Sequence, residues 1–187
     1  MSTDTLSTLF ALLTLVCAAA VVVTWVVLAG ARLAAADSAW GTLRDALGDL
    51  SLWFAWIVAL TATAGSLYYS IGAHYAPCEL CWYQRICLYP LSVILLVGAA
   101  HKDRAVAWYA LPPAVIGAAI AAYHTQLQAF PEQKTFCDRN NPCTNRFVWE
   151  FGFISLPLMS LVALAFIITM VVVWTTSSRP PEEVESE

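Results

Sequence analysis

Charge is what this 187-residue chain has least of: only 12% of its residues are Asp, Glu, Lys or Arg, against a hydrophobic share of 60%. Both figures lie far from the averages of soluble domains. No basic stripe follows any stretch of the sequence, which excludes a nucleic-acid partner. No series of acidic residues runs through the apolar stretches, so nothing suggests a proton relay across a membrane. A basic segment is also missing ahead of the first apolar run, residues 6–30, and that run is too long for the core of a secretion signal. It reads as a retained helix with its N-terminus outside. No internal repeat is visible, and the eight glycines form no clear series of small residues at helical spacing.

Long apolar runs are abundant. A helix needs about 20 apolar residues to cross a hydrocarbon core roughly 30 Å thick. The mean hydropathy of +0.68 is built from runs of that length. Five are readable, at residues 6–30, 50–71, 82–100, 106–127 and 147–174, and they predict an all-α membrane protein. Pro112, Pro113 and Pro157 fall inside these runs and predict kinks rather than breaks, because neighbouring groups in a bundle can satisfy the carbonyls a proline frees. Between the first two runs, Leu33, Ala36, Trp40, Leu43, Leu47 and Leu50 recur at spacings of three and four, with Arg32, Asp37, Arg44, Asp45 and Asp49 elsewhere around the wheel. That pattern predicts an amphipathic connector lying along the membrane surface. Glu182, Glu183, Glu185 and Glu187 make a solvated acidic tail.

Orientation follows from the basic residues. Arg32, Arg44, Lys102, Arg104 and Arg179 fall on one side, and Lys134, Arg139 and Arg146 on the other. The bias puts the first side and the C-terminus in the cytoplasm. Cys78, Cys81, Cys137 and Cys143 then share the outer face, while Cys17 and Cys87 lie within helices and read as buried apolar filler.

Cys78 and Cys81 form a C-x-x-C pair where an outer loop enters the third run, with Pro77 suited to the first helical position. Free backbone N–H groups at such a helix end, and Arg85 one turn further on, favour a thiolate, which is the reactive form. Cys137 and Cys143 lie in the next outer loop, separated by Asp138, Arg139, Asn140, Asn141 and Pro142, a polar turn expected to be open to water and to a soluble protein. From the residues alone the four cysteines fit redox pairs, two inert disulfides or one tetrahedral zinc site. Arg85 and His124 are strongly basic-capable side chains within the core runs, each about one turn below the outer surface, so they are expected to share a site. Such a pair suits the carbonyl oxygens of a buried quinone. A lipid-phosphate anchor for Arg85 and an interhelical hydrogen bond for His124 are the alternatives.

The run Cys78-Glu79-Leu80-Cys81-Trp82-Tyr83-Gln84-Arg85, with His124-Thr125-Gln126-Leu127-Gln128 and a second cysteine pair in the following outer loop, resembles the disulfide bond formation protein B (DsbB) family. The likeness covers about residues 50–174. It implies a four-helix transmembrane bundle in the bacterial cytoplasmic membrane, to which an extra N-terminal transmembrane helix is added here. It also implies ubiquinone or menaquinone as electron acceptor, no metal, and a soluble extracytoplasmic DsbA-like thioredoxin-fold oxidase as electron donor. Carried over by position, Cys137 takes the mixed disulfide with the partner and Cys143 is its pair. Cys81 is the thiolate that meets the quinone and Cys78 its disulfide partner, while Arg85 and His124 lie at the quinone site. The five-residue spacing of the loop pair is that of Gram-positive-like members. The loop pair follows the C-x-x-C pair, the reverse of the order in vitamin K epoxide reductases. The chain is thus expected to divide into an N-terminal helix with its connector at 1–49, a redox bundle at 50–175 and a tail at 176–187. A scaffold held by zinc or inert disulfides, or a small transporter, is the alternative class.

Overall fold

The structure, a computed structural model, describes residues 3–33, 39–133, 137–138 and 141–177, with Asp49 described in its backbone alone. Lys134, Arg139, Arg179 and the acidic tail lie outside the described residues. Five α-helices follow one another: α1 (Thr3–Leu33), α2 (Ala39–Leu67), α3 (Glu79–Ala100), α4 (Val106–Ala129) and α5 (Leu156–Thr176), with a π-helical turn at Tyr68–Gly72 closing α2. All five carry a stretch long and apolar enough to span a bilayer. The chain is an all-α, multi-pass membrane protein.

Helices α2, α3, α4 and α5 each pack on their neighbours in turn and close a four-helix ring, and α1 lies outside it against α2 and α5. Leu52, Leu91, Leu95, Ala110, Ala114, Leu164 and Ile167 fill the middle of the ring. Small residues on α4 let the backbones approach: a Cβ on Gly117 would lie 2.9 Å from the Cβ of Cys87, so Cys87 is a packing residue of the α3–α4 contact, as its place in the sequence suggested. Side chains on the outer surface, among them Val16, Val22, Ile86 and Val93, are large, apolar and exposed, which is the surface a lipid solvent requires.

Three boundaries differ from the sequence reading. The described part of the connector is not a separate helix: residues 39–49 are the first turns of α2, continuous with the second span, and Trp40 fits against Gly30 of α1, while Ala36 and Asp37 lie outside the described residues. The fifth run does not begin its helix at residue 147. A reversal closed by a β-bridge between Glu150 and Ile154 precedes α5, with Phe151 and Gly152 at positive φ of 51° and 81°. Pro157 therefore occupies the first turn of α5, where its missing N–H leaves no carbonyl unpaired, and it kinks nothing. Pro112 and Pro113 do sit inside α4, which runs on through them. Pro77 is not the first residue of α3, because Cys78 is the N-cap.

Candidate functional site: two cysteine pairs and two cavities

The C-x-x-C segment gains its geometry from the start of α3. Cys78 has extended backbone, and its sulfur accepts the Cys81 backbone N–H at 3.4 Å, so the thiol itself caps the helix. The two sulfurs stand 2.8 Å apart. A modest rotation brings such a pair to disulfide distance. Cys78 lies just outside the span, and its thiol is held well below the ordinary range by the hydrogen bond from Cys81, against the opposing effect of burial, with His124 adding to the lowering.

The second pair is joined: Cys137 and Cys143 form a disulfide with their Cα atoms 6.0 Å apart. Both cysteines are buried, Cys137 being 8% exposed and Cys143 fully enclosed, while Asp138 of the turn between them is exposed as expected. The loop is tied down. Asn141 Nδ2 donates to the Pro77 carbonyl at 3.0 Å, Gln128 Nε2 to the Asn145 carbonyl at 2.8 Å, and Arg146 Nε to the Gln128 carbonyl at 2.9 Å. Both cysteine pairs consequently belong to one apolar cluster with Leu80 and Leu127.

His124, 1% exposed on α4, sits between the two pairs. Its Nε2 lies 2.9 Å from the carbonyl oxygen of Cys143 and 3.7 Å from Cys78 Sγ, while Nδ1 lies 3.1 Å from Gln84 Nε2. A carbonyl only accepts, so Nε2 carries the proton and Nδ1 accepts from the Gln84 amide. Gln84 had no assigned role in the sequence; a polar residue inside a span was the signal that marked it.

Arg85 faces elsewhere. Its guanidinium donates from Nε to Ser66 Oγ at 3.0 Å, to the Ser66 carbonyl at 3.2 Å and to Ser70 Oγ, and it lies over the Trp82 ring at 5.3 Å. With Cys81, Gln84 and Ser66 it lines a largely apolar cavity of about 260 Å³ bounded by α1, α2, α3 and α5. His124 does not line that cavity. It lines a smaller one with Cys78, Gln128 and Pro142, and Cys81 lines both. The shared pocket expected for Arg85 and His124 is therefore two pockets separated by the C-x-x-C pair, because the two side chains leave α3 and α4 toward different gaps in the ring.

Among the described residues, the sulfurs of Cys78 and Cys81 and a His124 nitrogen lie within 4.8 Å of one another, a spacing within reach of one metal ion. Cys137 and Cys143 are bonded to each other and so do not complete a four-cysteine set. Ser160 of α5 also lines the larger cavity, and its Oγ is itself buried with no hydrogen-bond partner among the described residues.

Residues 49–175 match the family described as disulfide bond formation protein DsbB. Relatives include a "Disulfide bond formation protein C" of Bacillus subtilis (strain 168), 43% identical over 119 residues, which are 63% of this chain and 86% of that protein. A "Probable disulfide formation protein" of Coxiella burnetii (strain Dugway 5J108-111) is 43% identical over 120 residues, 63% of this chain and 82% of the relative. A "Probable disulfide formation protein C 2" of Bacillus cereus (strain ATCC 10987 / NRS 248) is 37% identical over 130 residues, 69% and 92% of the two chains. No solved structure matches the chain.

Proposed function

This chain belongs to the disulfide bond formation protein DsbB family, and from that premise we propose that it is a protein-dithiol:quinone oxidoreductase. In this reading it reoxidises an extracytoplasmic, DsbA-like thioredoxin-fold dithiol, with its redox cysteines on the outer face of the bacterial cytoplasmic membrane and its C-terminus in the cytoplasm. The observation that carries the proposal is the position of Cys81, at the junction between the buried cysteine cluster and the larger apolar cavity.

A thiolate of the reduced partner attacks Cys137, the more exposed sulfur of the loop disulfide. The Cys137–Cys143 bond breaks and Cys143 leaves as a thiolate. The partner's second thiol then displaces Cys137, and the partner departs oxidised. Cys143 lies on the His124 side of the cluster, as does Cys78. Attack on Cys78 releases Cys81 as the leaving thiolate on the cavity side. Displacement of Cys78 by Cys137 then reforms the loop disulfide and completes reduction of the C-x-x-C pair.

The larger cavity suits a quinone: it is apolar, lies within the spans, and has Arg85 and Gln84 in its lining as hydrogen-bond donors. A quinone bound there supplies an acceptor for two electrons and two protons. Arg85 would hold a carbonyl oxygen with the donors of its planar guanidinium, and Cys81 would deliver the electrons as Cys78–Cys81 closes again. The sum is a new disulfide in the partner for one quinone reduced.

Loss of oxidised-quinone absorbance on mixing the purified protein with a reduced thioredoxin-fold dithiol tests this reading. Wild type turns over, whereas Cys81→Ser and Cys137→Ser do not. Absence of turnover in wild type with either quinone type would overturn it.

A further inference from the structure

Helix α1 precedes the segment that matches the family, residues 49–175, yet it closes one side of the larger cavity. Phe10, Leu13, Thr14 and Cys17 line it, at the spacing of a single helical face. The outer face of the same helix carries Leu12, Val16 and Val23, all exposed to lipid. We propose that α1 is a wall of the quinone site rather than an added anchor, and that its Phe10–Cys17 face sets which ring and proximal tail the site accepts. This rests on the quinone reading above.

The register of α1 is pinned at both ends. Ser7 Oγ pairs with the Tyr69 hydroxyl at 3.0 Å toward one end, and Trp25 Nε1 donates to Thr169 Oγ1 at 3.2 Å toward the other. Between these ties the Phe10 ring fits a notch that only glycine leaves: a Cβ on Gly65 would stand 2.9 Å from Phe10 Cζ. Ser7, Phe10, Thr14 and Cys17 thus face the bundle in one continuous line. Thr14 returns its hydroxyl proton to the Phe10 carbonyl at 2.8 Å, so toward the cavity it offers only an acceptor and its methyl group. The donors come from the far side, where Arg85 and Gln84 stand, and the α1 side is an apolar surface suited to a substituted ring edge and an isoprenoid chain.

Two measurements test the proposal on the full chain in nanodiscs. In the first, Thr14→Trp fills the cavity from α1 and Val16→Trp adds the same ring on the lipid face. Thr14→Trp is expected to raise KM for a short-tailed ubiquinone about tenfold, with reduction of the Cys137–Cys143 disulfide by the dithiol partner unchanged, and Val16→Trp to stay within about twofold of wild type. The second needs no variant. With both disulfides closed, Cys17 and Cys87 are the free thiols, and peptide mass spectrometry after maleimide treatment reads each separately. Quinone is expected to slow labelling of Cys17 about fivefold and to leave Cys87, packed against Gly117, unaffected. Turnover with unchanged KM in Thr14→Trp, or Cys17 labelling indifferent to quinone in an enzyme that reduces it, overturns the role of α1 alone. Wild type that reduces no quinone overturns the parent reading and this inference with it.

Discussion

His124 Nε2 donates to the carbonyl oxygen of Cys143 at 2.9 Å, a bond that joins the C-terminal part of α4 to the loop disulfide and holds that disulfide over Cys78. Its removal leaves the Cys143 carbonyl and the Gln84 amide without their partner in a buried site, at a cost of about 1–3 kcal/mol each. His124→Ala is expected to slow electron transfer between the two cysteine pairs about tenfold or more, while the partner's first attack on Cys137 proceeds. Acid-quench trapping with thiol labelling checks this. Accumulation of a form with the loop pair reduced and Cys78–Cys81 oxidised is the expected result.

Arg85 holds its place through Ser66 and Ser70, with Trp82 beneath the guanidinium. Arg85→Lys keeps the charge but not the fork of donors. It is expected to raise KM for quinone about tenfold, with mixed-disulfide formation at Cys137 unaffected, in the same absorbance assay. Unchanged quinone kinetics in Arg85→Ala would remove Arg85 from the site.

The lowered pKa of the Cys78 thiol has a definite sign. Once the C-x-x-C pair is reduced, Cys78 is charged in the folded protein over a pH range where an unfolded thiol, with pKa near 8.5, is neutral. Its contribution to the stability of the reduced form is complete above that ordinary value and is lost as pH falls through the depressed one. Reduction of Cys78–Cys81 in that window takes up one proton for two electrons. Its potential is expected to fall by about 30 mV per pH unit, half the ~59 mV slope of an ordinary dithiol, in redox titrations against a thiol buffer. The full slope would mean that Cys78 is protonated when reduced.

Asn141 secures the loop to Pro77, next to the C-x-x-C pair. Asn141→Ala gives up one hydrogen bond, about 1 kcal/mol, which corresponds to about a fivefold change in an opening equilibrium. Reduction of Cys137–Cys143 by a small thiol is expected to speed up by that factor, with quinone KM unchanged.

Close packing of α3 on α4 is a matter of stability and not of chemistry. A side chain at Gly117 collides with Cys87 and with Leu164. Gly117→Val is expected to cost about 1–3 kcal/mol, seen as a lower unfolding temperature in detergent. Gly152→Ala strains a positive φ at the surface reversal instead, where nothing lies within 4 Å of the added Cβ, so any loss there comes from backbone strain alone.

The sequence by itself determined the five spans, the pairing of helices with membrane and the presence of two cysteine pairs near Arg85 and His124. Span length and hydropathy are properties of consecutive residues, and a bilayer reads them without reference to the rest of the fold. Only the tertiary structure decided what those residues face. That Cys143 is enclosed depends on Asn141 meeting Pro77, 64 positions away in the chain. That α1 lines the cavity depends on Ser7 meeting Tyr69 across 62 positions and on a notch at Gly65. Gln84, next to Arg85 in the chain, meets His124 across the α3–α4 contact, so the two basic residues stand at neighbouring levels, but position along a helix leaves rotation about its axis open. The packing of the ring sets that rotation, and it sends Arg85 to the larger cavity and His124 to the disulfide.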